Sequence, residues 1–227
     1  MCNQGCMAFG RQCLTQAEVR GKRVIEVGAQ NIDGSLRPGI EALGPKEYIG
    51  IDLVMGRGVD EVCDANDMLR RFGPESFDLL VSTEMIEHAR DWRNVIANFK
   101  GVVRRGGFLL LTTRSPGFRV HNYPHDYWRF EPEDLRAVFS DFITIRLESD
   151  PGSPGAFLFA TKPQDFAEKD LSHYELYSTP ARRRVPQVSA WHMFMYYLRE
   201  GSRWLVSIFR PATARRIVAK RLPGKAR

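Results

Sequence analysis

The sequence predicts an α/β protein built on a doubly wound, mostly parallel sheet, and three observations carry that prediction. Short apolar, β-rich runs alternate with helix-like stretches as far as Glu131. Carboxylates stand at or beside the ends of four successive runs. The last two runs, Phe142–Glu148 and Ala156–Lys162, are joined so closely that they must be antiparallel, because a parallel return needs a crossover of about a dozen residues or more.

Taken in order, Thr15 with Glu18 three residues on has the form of a capping box and predicts a short helix before Gly21. Strands are expected over Arg23–Gly28, Tyr48–Leu53, Val59–Cys63, Phe77–Ser82 and Gly107–Thr113, each a short apolar run bounded by turn residues. Helices are expected between them over Ser35–Leu43, Asn66–Phe72 and Trp92–Val103. The alternation implies βαβ units, a sheet buried on both faces and right-handed crossovers. A helix over Pro132–Phe139 then leads into the closing hairpin, whose turn is rich in Gly and Pro. There is no internal repeat and no low-complexity tract.

Composition excludes several classes of protein. Hydrophobic residues make up 43% and charged residues 26% of the 227, which is ordinary for a globular chain and unlike a disordered or fibrous one. The net charge of +6 points to an anionic partner until its distribution is considered: the stretch from Ala181 to Arg227 holds twelve Lys and Arg against the single acid Glu200. The chain up to Pro180 is therefore mildly acidic, and the basic character belongs to an extension. No apolar run approaches the length of a membrane span and Met1–Gly10 has no signal-like core, so a cytoplasmic location is expected. Cys2, Cys6, Cys13 and Cys63 match no zinc-ligand spacing, and the first three read as ordinary thiols near a chain end.

A doubly wound sheet binds its ligand at the carboxyl ends of its strands, where the winding reverses. The first strand ends in Glu26-Val27-Gly28-Ala29-Gln30, and Gly34-Ser35 opens the next helix. Gly28 lets the backbone approach a ligand without a Cβ in the way. Asp52 ends the second strand, at about the distance beyond Gly28 where a carboxylate accepts both hydroxyls of a ribose. Asp64-Ala65 follow the third strand, and Thr83-Glu84 end the fourth. Each acid alone reads as a helix cap or a turn residue; four together at successive strand ends are not readily a coincidence.

In that order, VIEVGAQ, YIGID, CDAND, FDLLVSTEMIEH and GGFLLLTT resemble the class I S-adenosylmethionine-dependent methyltransferases, in the small-molecule branch with an E-x-I-E-H motif after the fourth strand. The resemblance covers about Gly21 to Lys162. It implies a seven-stranded Rossmann-like sheet of order 3-2-1-4-5-7-6 with the last strand antiparallel, and S-adenosylmethionine as cofactor. It further implies that Glu26 and Gly28 meet the methionine part, that Asp52 holds the ribose, and that Ala29, Gln30, Gly34 and Leu53 also bind the cofactor. Asp64 and Ala65 would border the adenine, with Thr83 and Glu84 beneath the methyl donor. One departure stands out: Ala29-Gln30-Asn31-Ile32-Asp33 replaces the family's glycine-rich loop, and the missing glycines also disfavour a nicotinamide oxidoreductase.

His88 is the candidate general base, close to the end of the fourth strand; its ordinary alternative role is to cap the following helix. Base catalysis contributes ~10²–10⁴-fold, whereas orienting two reactants can supply about 7–11 kcal/mol, so positioning alone can suffice for a sulfonium donor. The aromatic stretch from Arg114 to Phe130 sits where a substrate lid would, and His121, His125 and Tyr127 are its candidate substrate contacts. His121 and His125 have the spacing of helical metal ligands, but Pro124 between them breaks a helical face, and no metal is expected. Trp128 and Phe130 should be buried, with Arg129 paired to a carboxylate.

Two regions follow: a methyltransferase domain, residues 1–163, and a basic, aromatic-rich extension, residues 164–227. Trp191–Phe209 is apolar and aromatic, interrupted by Arg199, Glu200 and Arg203, and Arg210–Arg227 is basic. The extension should be helical, serving as a packing or homodimer element or as a peripheral membrane contact. No nucleic-acid module is present, and no nucleic acid is expected. The expected function is methyl transfer to an oxygen or nitrogen of a small-molecule, sugar or lipid-linked acceptor. The alternative is a non-catalytic scaffold of the same fold, docked to a membrane or partner through the basic tail.

Overall fold

Two helices open the chain, α1 (Gln4–Cys13) and α2 (Gln16–Val19). The second carries the capping box read from Thr15 and Glu18, both of its reciprocal hydrogen bonds being present. The computed structural model describes residues 3–32 and 34–209, the side chains of 202–209 excepted. Cys2, Asp33 and the basic stretch Arg210–Arg227, on which parts of the sequence reading fall, lie outside the described residues.

The main sheet follows the expected winding. β1 (Arg23–Val27), β2 (Glu47–Asp52), β3 (Glu61–Val62), β4 (Phe77–Thr83) and β5 (Val103–Arg114) are parallel, with α3 (Arg37–Ala42), α4 (Met68–Phe72) and α5 (Trp92–Val102) in their connections. A two-residue strand, β6 (Trp128–Arg129), and α6 (Pro132–Val138) precede the closing hairpin of β7 (Ile143–Ser149) and β8 (Gly155–Thr161). β8 inserts antiparallel between β5 and β7, giving the order β3-β2-β1-β4-β5-β8-β7. With β6 standing outside this sheet, that is the expected 3-2-1-4-5-7-6 order. All of β4 but Asp78, and all of β1 but Arg23, are buried, as central parallel strands covered on both faces should be.

Chain order fixes where a ligand can sit. From β1 the chain winds through β2 to β3 on one side, then returns to start β4 on the other, so the winding reverses between β1 and β4. Their ends are clamped together by the Ser82 hydroxyl, which donates to the Val27 carbonyl at 3.1 Å.

Two features were not legible as elements. α1 buries Cys6 and Phe9 in the core with Val81, Leu110 and Phe157, its Phe9 ring 5.2 Å from that of Phe157. Cys6 and Cys13 are thus core residues rather than ordinary terminal thiols, because α1 lays one apolar side on the sheet. The second feature is a small antiparallel sheet in which β9 (Leu176–Ser178) joins β6 to β10 (Arg183–Val185). The first compact unit consequently runs to Val188, past residue 163. The second unit begins at Ser189 and contains α7 (Ala190–Phe209), where the sequence reading expected a helix.

Candidate active site

Asp52 ends β2 with both carboxylate oxygens engaged: Gln30 N–H donates to one at 3.1 Å and Leu53 N–H to the other at 2.7 Å. A carboxylate offers about four acceptor positions, so lone pairs are left for a ligand. Beside it, Leu53, Val54 and Met55 are 65%, 55% and 62% exposed, three consecutive apolar side chains facing water at a strand end. Asp64 caps the turn that starts at Ala65 by accepting from Asn66 N–H at 2.9 Å, leaving Ala65 buried. Cys63 N–H donates to the Asp52 carbonyl, which holds the two strand ends side by side.

Glu26, Gly28, Ala29, Gln30, Gly34 and Thr83 line one crevice between β1 and β4. Gly28 has φ +78°, and a Cβ there would lie 2.7 Å from the Met85 side chain. The loop without the family's glycines is tied to its surroundings by Asn31 N–H to the Arg57 carbonyl and by Gly34 N–H to the Asn31 side chain. Burial pushes the Glu26 carboxyl up to about 7, against the opposing hydrogen bond from the Tyr48 hydroxyl at 2.5 Å. These residues fit S-adenosylmethionine: a buried carboxylate for an ammonium, a glycine for close approach, acceptors for ribose hydroxyls and an open apolar face for a base.

The next residue after Thr83 enters a different space. Glu84, at φ +56°, lines a cavity of about 600 Å³ together with Met7, Arg11, Arg114, Arg119 and His121. Glu84 is ion-paired with Arg114 and accepts a hydrogen bond from the Cys6 thiol at 3.2 Å. Burial, reinforced by the charge of Glu87, raises its carboxyl well above the usual range. Arg114 also reaches Asp150 at 3.2 Å, anchoring the cavity wall to the turn before β8. A non-glycine residue in the left-handed region costs about 1–2 kcal/mol, and here that strain aims Glu84 inward.

Behind this wall, Glu87 is fully buried, with Thr113 Oγ1 donating to one carboxylate oxygen at 2.8 Å. Its other oxygen, Oε1, has no hydrogen bond and lies 3.7 Å from His121 Nε2 and 4.0 Å from His88 Nε2. The outer nitrogens are also engaged. His88 Nδ1 is 2.5 Å from the His125 carbonyl, while His121 Nδ1 is 3.2 Å from Asp126, an ion-pair contact without the alignment of a hydrogen bond. Burial opposes charge on both rings and pulls His88 below its ordinary value; for His121 the partners Asp126 and Glu87 outweigh it and hold the ring up at about 9. Burial would likewise raise Glu87, but His121 and the charge of His88 hold it at about 2.

The lid stretch meets this cluster. His88 does not cap α5; the side chain that does is Asp91. His121 joins Glu87 and His88, whereas His125 is exposed, its ring nitrogen 3.1 Å from the Tyr127 hydroxyl. Tyr127 is buried, bonded through its backbone to the Glu87 and Thr179 positions. Trp128 and Phe130 are buried and Arg129 is paired with Asp126, as the sequence suggested. Glu87, Arg114 and Asp126 were missed as site residues, although Glu87 stands inside the E-x-I-E-H motif.

Residues 33–111 match a family described as a methyltransferase domain. Comparison with curated proteins returns no matching sequence. Among solved structures, the chain is similar to a SAM-dependent methyltransferase from Archaeoglobus fulgidus, at 14% identity over 69% of this chain and 92% of that one, TM-score 0.56. It is also similar to 1,6-didemethyltoxoflavin-N1-methyltransferase from Burkholderia thailandensis, with S-adenosylhomocysteine bound, at 17% identity over 70% and 78% of the two chains, TM-score 0.52. A third is phosphoethanolamine N-methyltransferase 2 of Haemonchus contortus in complex with S-adenosyl-L-methionine, at 18% identity over 71% and 53%, TM-score 0.54. The matched methyltransferase domain lies within the sheet whose winding reverses between β1 and β4, and the chain shares the fold of these S-adenosylmethionine-dependent methyltransferases.

Proposed function

We propose that the chain binds S-adenosylmethionine at the ends of β1, β2 and β4 and transfers its methyl group to an oxygen or nitrogen of a small-molecule, sugar or lipid-linked acceptor. The observation that carries this reading is the adjacency of Thr83 and Glu84. One lines the strand-end crevice and the next lines the acceptor-sized cavity, so a single turn of backbone separates the two compartments.

Each residue then has a task. Glu26 receives the methionine ammonium, Asp52 accepts from the ribose, and Leu53 with Ala65 borders the adenine, while Gly28, Ala29, Gln30 and Gly34 shape the path between. The cofactor supplies an electrophilic methyl carbon on a sulfonium, which the acceptor's lone pair attacks in line as the carbon–sulfur electron pair returns to sulfur. Glu84, Arg114 and His121 line the cavity, and in this reading His88, grouped with Glu87 and His121, takes up the acceptor's proton. Arg11 and Arg119 at the same cavity favour an acceptor with an anionic group.

Asp52→Ala should weaken S-adenosylmethionine binding at least about tenfold, the loss of one or two hydrogen bonds to a charged group. Unchanged affinity in calorimetry would remove the ribose assignment. Transfer of a labelled methyl group to an acceptor pool would test the reaction itself. A non-catalytic scaffold predicts binding without transfer.

α7 presents Trp191, Phe194, Met195, Tyr197 and Leu198 to solvent, and the basic residues follow it in sequence. No helix among the described residues is long and apolar enough to cross a membrane. These features support a peripheral membrane contact, and sedimentation with anionic vesicles tests it; failure to co-sediment at low salt would remove it.

A further inference from the structure

We infer that Glu87, His88 and His121 form a binding site for one divalent transition-metal ion of the zinc class, adjoining the acceptor cavity through His121. The ligand atoms all lie within 4.8 Å of one another. Glu87 is fully buried, yet its Oε1 carries no hydrogen bond and faces both Nε2 atoms, at 3.7 and 4.0 Å. A buried carboxylate oxygen without a hydrogen bond is costly, and a cation between the three atoms satisfies it.

The surroundings fit the same assignment. Histidine ligands hold their second nitrogen against a carbonyl or carboxylate, which fixes the ring and frees the other lone pair. His88 does so through the His125 carbonyl, and His121 Nδ1 faces Asp126 at 3.2 Å. Two imidazoles and one carboxylate form the ligand set of catalytic zinc and of non-haem iron, with at least one position left open. Tetrahedral coordination at the usual bond lengths separates ligand atoms by about 3.3 Å, so each Glu87 contact need close by only about half an ångström. This set differs from the His121 and His125 pair suggested by spacing, since His125 contributes a carbonyl to His88 and no ring nitrogen to the cluster.

The site stands independently of methyl transfer; its role at the acceptor rests on that reading. An acceptor hydroxyl on the open position would lose its proton to solvent more readily, leaving an oxygen lone pair for the methyl carbon. His88 would then act on that proton through the ion rather than by taking it.

The test uses the full chain, stripped with a chelator and titrated with Zn²⁺ by calorimetry and with Co²⁺ by visible absorption. We expect one ion per chain with sub-micromolar affinity for Zn²⁺ and Co²⁺ ligand-field bands. His88→Ala and His121→Ala should each weaken binding by at least about 100-fold, and His125→Ala by no more than about threefold. Circular dichroism checks folding, and His121→Gln replaces the alanine variant if that one unfolds. Absence of saturable binding, or binding that survives loss of either ligand histidine, would overturn the site. S-adenosylmethionine titrated into the same stripped sample separates the two readings: cofactor binding without ion binding would overturn the metal site alone.

Discussion

Gly28 makes the sharpest demand of any single residue on the cofactor side. Its φ of +78° and the 2.7 Å approach to Met85 mean that Gly28→Ala suffers both backbone strain and a clash with atoms near the Met85 backbone. A loss of about 1–3 kcal/mol is expected, read as a melting temperature lower by roughly 2–10 °C, together with weakened S-adenosylmethionine binding. An unshifted melt would mean that the strand end relaxes without strain. Glu26 predicts a pH effect. Its folded-state pKa of about 7 lies above the ordinary 4.5, so burial of the neutral carboxyl costs nothing below pH 4.5, and stability falls as pH rises through 7. The cofactor ammonium needs the ionised form, so affinity should rise about tenfold between pH 5.5 and 7, where an amino group stays protonated. In Glu26→Gln that slope should flatten; a slope equal to that of the unmodified chain would refute the assignment.

At the scale of elements, the lid stretch from Arg114 to β6 turns on Asp126. This carboxylate is fully buried, pairs with Arg129 and accepts the His121 backbone N–H at 2.8 Å. Removing its charge breaks a buried ion pair and leaves the Arg129 guanidinium with its carbonyl contacts to Trp128 and Arg119, so Asp126→Asn should cost about 3–5 kcal/mol in urea unfolding. A loss below about 1 kcal/mol would show that the Asp126–Arg129 pair does not hold the lid. The parallel strands were legible because each is a short apolar run closed by turn residues, and the hairpin because its loop is too short for a crossover. α1 was not, since QGCMAFGRQC mixes glycine and polar residues and its apolar side emerges only against Phe157 and its neighbours. Nor was the sheet of β6, β9 and β10, whose strands of two or three residues are too short to carry an alternating pattern. The site was legible to the same degree. His88 and His121 could be picked out one at a time, but the carboxylate between them becomes visible only when the lid folds back over the end of β4.

For the whole molecule, the topology explains why carboxylates as distant along the chain as Glu26 and Glu84 share one edge. Glu26 lies in β1 and Glu84 directly follows β4, and the reversal between β1 and β4 brings these strand ends together. The acidic stretch up to Pro180 and the basic remainder separate along the sequence. The central claim is that this edge holds an adenosyl sulfonium, and isothermal titration of the intact chain with S-adenosylmethionine and with S-adenosylhomocysteine tests it most directly. The account predicts saturable one-to-one binding of both, diminished in Asp52→Ala. Folded protein that evolves no binding heat with either, at temperatures chosen to avoid a zero enthalpy, would contradict it.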